Sequence, residues 1–396
     1  MRLRLLACAA LLAGVAASGA GAGATAPLAQ RLAAALATSG VEWSRSGALV
    51  VDLRSHRTIY AQNAWVSLVP ASNEKLAVSY AALTALGPSY RIETSVLGDG
   101  RLVDSVWRGD LVLRGRGDPT LEAADLTDLA AQLREAGLAA VTGAIVGDES
   151  FFDGRRTAYG WKPQFYLNES PPISALSVGR SGSREPALAA TIAFRKALRK
   201  AGVRVHGGVR LGRTPAGAWP LASVLSPSLR DLVHAMGTES DNYTAELLIK
   251  ELGAVVARRG TTPAGAAVVT GVLRAARIPL RGVRIVDGSG LSRLDRLTAG
   301  AIVGVLQAAL ADPLVAPSFL AALPVAGRSG TLEGRMRAPP ARGRVAAKTG
   351  TTSLASALSG FVAGRFAFSI LQNGNPVPRW SARASQDRFA AILASQ

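Results

Sequence analysis

Apolar and polar positions recur with different periods along this chain, and the periods predict its elements. Apolar residues at helical spacing over 27–39, ended by Gly40, predict a first helix. Two short apolar runs, 47–53 and 58–62, flank the polar turn Ser55-His56-Arg57 and predict a pair of strands. A helical pattern opens at Pro70 and closes at Gly87-Pro88. The texture then changes. Short strand candidates at 95–97, 109–114 and 144–147 alternate with glycine-rich turns, around one helix at 126–136 that stops at Gly137. A loop rich in proline and aromatic residues follows over 151–172. An amphipathic helix at 186–201 then presents Arg195, Lys196, Arg199 and Lys200 as a solvated face. Helical periodicity returns at 229–236, 243–258, 265–276 and 298–311. Three successive strands, 343–347, 357–363 and 366–371, and a helix at 385–393 complete the chain. This order predicts an α+β fold, an antiparallel sheet covered by helices. Residues 96–220 read as a smaller inserted domain dividing a parent domain of 25–95 and 221–396.

The 396 residues are enough for two or three domains of about 150 residues each. A net charge of +18 predicts anionic surroundings, such as cell-wall polymer or a membrane surface. The charge is scattered, with no zinc-finger, RNP-type or continuous basic-region pattern, which argues against nucleic acid. Arg2 and Arg4 precede an apolar run over 5–17, then small residues and Ala22-Gly23-Ala24. Residues 1–24 are therefore predicted to be a secretory signal peptide, addressing the chain to the periplasm or cell envelope. Cys8, the single cysteine, lies inside it. Leu5-Leu6-Ala7-Cys8 resembles a lipoprotein box but leaves almost no apolar segment before the cysteine. The mature chain is expected to have no disulfide and no transmembrane anchor.

The chemistry gathers in three short motifs. Ser72 stands three residues before Lys75 at the start of the helix that opens at Pro70. Positions i and i+3 share a helix face about 5–6 Å apart, so hydroxyl and amine can meet where the helix N-terminus favours negative charge. Six of the 45 basic residues are lysines. In a chain that otherwise chooses arginine, a lysine here points to a group that must lose its proton. Ser240-Asp241-Asn242 precedes a helical pattern, and Lys348-Thr349-Gly350-Thr351 ends a strand. Serine–lysine acyl-enzymes need this set in this order. Ser72 is the predicted nucleophile and Lys75 its base. Ser240 relays a proton to the leaving amine. Asn242 holds the substrate amide and Lys75. Lys348 supplies a positive field and hydrogen-bonds Ser240. Thr349 and Thr351 suit a substrate carboxylate, with Gly350 between them. The N–H groups of Ser72 and Thr351 form the expected oxyanion hole.

With these motifs, the chain resembles the serine D-alanyl-D-alanine carboxypeptidase/endopeptidase family, the class C low-molecular-mass penicillin-binding proteins. The resemblance extends to Gly109-Asp110-Leu111, Gly117-Asp118-Pro119-Thr120-Leu121, Gly147-Asp148 before Phe151-Phe152-Asp153, and Asp287-Gly288-Ser289-Gly290-Leu291-Ser292-Arg293. It ends with Leu323-Pro324-Val325-Ala326-Gly327 and Gly330-Thr331-Leu332. It implies a penicillin-binding-protein/beta-lactamase-like transpeptidase domain interrupted by an insertion. It also implies hydrolysis of peptidoglycan stem peptides through acyl-Ser72, and beta-lactams as inhibitors. Family members often carry a second inserted subdomain. Here Leu176-Ser177-Val178 runs almost directly into the helix at Pro186, so that part is expected to be missing. Two other readings stand beside this one: a beta-lactamase of the same superfamily, though no E-x-x-L-N segment occurs, and a non-catalytic wall-binding protein. His56, His206 and His234 lie far apart, the adjacent Asp148 and Glu149 are weak ligands by themselves, and Asp287–Gly290 reads as a tight turn. No metal or cofactor is predicted.

Overall fold

The computed structural model describes residues 27–37 and 40–396. The predicted signal peptide and Cys8 lie outside the described residues. The main sheet has the order β10-β11-β12-β1-β2, with every pairing antiparallel. Its strands are β1 (Ser46–Asp52), β2 (Thr58–Gln62), β10 (Val345–Thr351), β11 (Ala355–Val362) and β12 (Phe366–Asn373). The central strands are apolar almost without interruption because both faces of the sheet are covered. Leu49, Val51, Phe361, Ala367 and Leu371 face one core, and Val50, Leu358, Val362, Phe368 and Ile370 face the other. Successive side chains of a strand point to opposite faces, which divides the run this way. On the second face lie α1 (Leu28–Leu36) and α11 (Arg379–Ala394), through Leu32, Leu36, Phe389 and Leu393.

The first face carries the helices that place the chemistry. These are α2 (Glu74–Leu86), α6 (Leu229–Glu239), α7 (Asn242–Val256), α8 (Thr262–Ala275), α9 (Ala299–Ala311) and the short α10 (Ala316–Ala321). α2 is buried on every side from Glu74 to Leu83, packed among α6, α7, α8 and α9. Full burial of one of its leucines contributes about 1.5–3 kcal/mol. A rigid central helix therefore holds the serine–lysine motif at its N-terminal end.

A second sheet draws all its strands from residues between Glu93 and Leu225, so a smaller domain interrupts the first. Its path is β7-β5-β4-β3-β9, with β6 beside β4 and β8 beside β6. The strands are β3 (Glu93–Val103), β4 (Val106–Arg114), β5 (Ala140–Val141), β6 (Ile145–Asp148), β7 (Arg204–Val205), β8 (Val209–Leu211) and β9 (Trp219–Leu225). β3 and β4 form one long hairpin, where the sequence pattern predicts only two short strands. Its turn residues Asp104 and Ser105 both have positive φ, as a tight hairpin turn requires. α3 (Ala123–Glu135) and α5 (Pro186–Lys200) cover this sheet. The loop between them contains one distorted turn, α4 (Phe165–Asn168), and leads back toward the main domain. Among the described residues, no helix is long and apolar enough to cross a membrane.

Candidate active site

The turn before α2 sets the geometry. Ala71–Asn73 forms a single 3-10 turn that runs straight into α2, and fully buried Ala71 adopts a positive φ of 49°. Gly290 and Gly350 press on this turn from two sides. A Cβ at Gly290 would stand 1.9 Å from the Ala71 carbonyl oxygen, and one at Gly350 3.1 Å from the Ser72 nitrogen. Asn73 ties the turn to β10 by donating from Nδ2 to the Lys348 carbonyl at 3.1 Å.

Lys75 Nζ makes three hydrogen bonds: to Ser72 Oγ at 3.1 Å, Asn242 Oδ1 at 2.8 Å and the Ser289 carbonyl at 2.7 Å. The last two partners can only accept. In a neutral amine they take both N–H groups, and the lone pair is left for the Ser72 hydroxyl. Burial favours that neutral form and brings the Lys75 pKa down to about 8, against the pull of Asp287, Glu246, Asp241 and Glu74. Lys348 is also pushed far down, by burial first and by Lys75 second. The acids beneath the pair respond in the opposite sense. Burial, with Asp287 adding repulsion, holds Glu74 and Asp295 well above the usual carboxylate range and raises Glu246 to about 8.

The second motif is shaped by the junction of two helices. Ser240 closes α6 in the left-handed conformation, φ 64°. Asp241 then caps α7, accepting from the Tyr243 amide at 3.1 Å and pairing with Arg180 at 2.7 Å. This leaves Asn242 in the first turn of α7 with its amide in the cleft. Its Nδ2 donates to the Glu169 carbonyl at 2.9 Å, which fixes the orientation of the amide.

The third motif occupies the last four residues of β10, an outer strand of its sheet. Lys348 Nζ bonds the Thr349 carbonyl at 3.1 Å. The predicted Lys348–Ser240 bond is therefore corrected: the buried amine donates to a carbonyl of its own strand instead. Thr349 Oγ1 donates to Thr331 Oγ1 at 2.8 Å. Thr351 Oγ1 accepts from Arg383 Nη2 at 3.2 Å. Ser72, Ser240, Asn242, Thr349, Gly350 and Thr351 line one cleft of about 750 Å³. Lys75 and Lys348 lie beneath it, each 1% exposed. All eight residues singled out in the sequence thus come together.

Sequence reasoning missed four contributors. Ser289 supplies a carbonyl to Lys75, and Glu169 one to Asn242, and a backbone oxygen leaves no mark on residue type. Asp287 braces the turn that holds Ser289, accepting from the Gly290 and Ser292 amides and from Trp161 Nε1. The Asp-Gly-Ser-Gly run carried that signal, but it reads as a plain turn. Arg383 comes from the distant α11. The weak cation candidates Asp148 and Glu149 are taken by protein partners, Thr214 and Ser150 for the first and Arg156 for the second.

The architecture is that of a serine peptidase of the penicillin-binding class. It superposes on penicillin binding protein 4 of Haemophilus influenzae with a TM-score of 0.82 at 23% identity, covering 93% of this chain and 98% of that one. A model of the D-Ala-D-Ala carboxypeptidase 3 (S13) family matches residues 28–182 and 178–396, and the chain belongs to that family. The two matched stretches overlap at 178–182. The D-alanyl-D-alanine carboxypeptidase of Actinomadura sp. strain R39 is 33% identical over 91% of this chain and 83% of that protein. Carboxypeptidase DacB of Mycolicibacterium smegmatis is 32% identical over 93% and 84%. The protein is thus a serine-type D-Ala-D-Ala carboxypeptidase by class.

Proposed function

We propose that Ser72 is the acylated residue and that the protein removes the terminal D-alanine of peptidoglycan stem peptides in the cell envelope. The observation that carries this reading is the buried Lys75 amine, depressed in pKa and 3.1 Å from Ser72 Oγ. Neutral Lys75 takes the Ser72 proton as Oγ bonds to the carbonyl carbon of the penultimate D-alanine. The Ser72 and Thr351 amides hold the oxyanion, the approach of Gly350 to the Ser72 nitrogen bringing the turn before α2 and the end of β10 together. The C–N bond then breaks, and the proton passes through Ser240 to the leaving amine. Water attacks the ester as Lys75 takes one of its protons. Lys75 then hands that proton to Ser72 Oγ as the C–O bond breaks, which frees Ser72 and the shortened peptide and restores the neutral amine. Lys348 offers a positive field from below in its protonated form, Asn242 orients the substrate amide and Lys75, and Thr349 with Thr351 faces the carboxylate.

Crosslinked peptides present the same bond type, so endopeptidase action on them belongs to this proposal, as does delivery by a leader over residues 1–24. The insertion is taken as 96–220, between parent segments 25–95 and 221–396. The test is the intact mass of the protein after incubation with a penicillin. One stable adduct, mapped to Ser72 and absent from Ser72→Ala, is expected. Fast nitrocefin turnover without a lasting adduct would point to the beta-lactamase alternative. Muropeptide binding without any adduct would point to the non-catalytic one.

A further inference from the structure

The cleft beside Thr351 is unusually rich in arginine. Arg335 and Arg383 line it, and Arg379 lines the groove that continues from it. The three are not equivalent. Arg335 is committed: it grips Asp387 Oδ1 through Nη2 at 2.7 Å and Nε at 3.0 Å, and reaches Gln386 Oε1 at 3.2 Å. Arg379 is exposed at the start of α11. Arg383 is half-buried and has no carboxylate partner among the described residues, since Asp387, the acid nearest in sequence, pairs with Arg335. Its Nη2 reaches Thr351 Oγ1, and its Nε is buried with no hydrogen-bond partner. A buried guanidinium nitrogen left without an acceptor is costly, and nothing in the resting fold supplies one.

The hydrogen bond to Thr351 adds a direction. A hydroxyl that accepts from a guanidinium keeps its own proton free to donate elsewhere. Ser72, Thr349 and Thr351 share the same cleft. An anion held by Thr349 and Thr351 would thus sit within reach of the guanidinium fork, the geometry that suits a carboxylate. We infer that Arg383, from the C-terminal helix, is a specificity residue that reads the free carboxylate on the leaving amino acid. It does so together with Thr351, whose hydroxyl it turns into a donor. This deepens the peptidase reading above and rests on it. The positive surroundings agree with the assignment. Burial, Arg335 and Arg379 all lower the Arg383 pKa, and Asp387 alone opposes them, so an arriving anion relieves an existing strain of charge.

The experiment compares two peptides ending in D-Ala-D-Ala, one with a free C-terminal carboxylate and one with a C-terminal amide. The readout is the ratio of their kcat/KM values in wild type, Arg383→Gln and Arg383→Lys. A hydrogen bond to a charged group corresponds to about 10–150-fold. Wild type is expected to prefer the acid, and Arg383→Gln to reduce that preference by about this factor. Arg383→Lys, which retains charge but not the fork and is the milder change for the fold, is expected to recover part of it. An unchanged acid-to-amide ratio in both variants, with the two rates falling together or not at all, overturns the inference while leaving the peptidase reading in place. Wild-type protein that hydrolyses neither peptide and takes no penicillin adduct overturns both.

Discussion

Acylation of Ser72 by penicillin should rise about tenfold between pH 7 and pH 9. With its pKa at about 8, Lys75 is neutral in about one molecule in eleven at pH 7 and in about ten of eleven at pH 9. Only the neutral fraction can accept the hydroxyl proton, so the second-order acylation rate follows it. The assay is the rate of covalent capture of a fluorescent penicillin from pH 6 to 9.5, with the adduct verified by mass. Two variants isolate the cause. Lys75→Arg keeps the charge and cannot give up its proton, so acylation should fall about 10²–10⁴-fold. Glu246, itself raised to about 8, gains its charge over the same pH range in which Lys75 loses its proton, and that charge favours the Lys75 ammonium. Glu246→Gln keeps the acceptor oxygen that holds the Gly288 and Ser289 amides at 3.0 and 2.8 Å and removes the charge. Its midpoint should therefore move to lower pH. A wild-type rate that is flat from pH 6 to 9, or Lys75→Arg acylating within tenfold of wild type, would refute this account of Lys75.

Two further outcomes follow from the buried groups and glycines around the site. Glu251 accepts a hydrogen bond from the Tyr90 hydroxyl, and burial raises it to about 7 from 4.5. Between those values the folded state keeps a proton the unfolded chain has lost, so stability falls as pH rises through that window, by about 3 kcal/mol in all. Glu251→Gln should remove this fall, gaining on wild type at pH 8 but not at pH 4.5 in denaturant titrations. An equal difference at both pH values would exclude Glu251 as the source. Gly290→Ala should cost more than about 1–2 kcal/mol and stop penicillin capture, because φ is +80° and the new Cβ would collide with the Ala71 carbonyl. Normal capture by that variant would show the 71–73 turn to be insensitive to its neighbour.

Where sequence pattern and structure agree, a strong local signal coincides with burial. The apolar runs at 47–53 and 366–371 correspond to β1 and β12, and the three motifs converge as predicted. Elements were missed where burial is weak. The outer half of β3 contains Asp99, Gly100 and Arg101, is exposed, and gives no alternation to read. β9 is an edge strand that includes Pro220 and shows six of its seven residues at least partly to solvent, with Ala222 alone buried. α11 begins at Arg379, well before the predicted 385, because its first turns carry Arg379, Trp380 and Arg383 toward the cleft instead of apolar residues toward the core. The same polarity that hid these turns from a hydrophobic pattern is what makes Arg383 available to a ligand. β10 extends to Thr351 although Lys-Thr-Gly-Thr is not strand-like by composition, since pairing with β11 carries it.

Three contacts join the 149–175 stretch to the main domain at the cleft: Glu169 to Asn242, Trp161 to Asp287, and Lys162 to Ser353 at 2.8 Å. An artificial short-circuit from residue 92 to residue 226 would keep the serine, its amine and the threonine strand. It would also release the Asn242 side chain to spin half a turn and offer its nitrogen, in place of its oxygen, to the lysine. A donor facing that amine would compete for the lone pair the hydroxyl needs. The added module is therefore a working wall of the catalytic chamber, and trimming it should extinguish turnover even where the remainder folds.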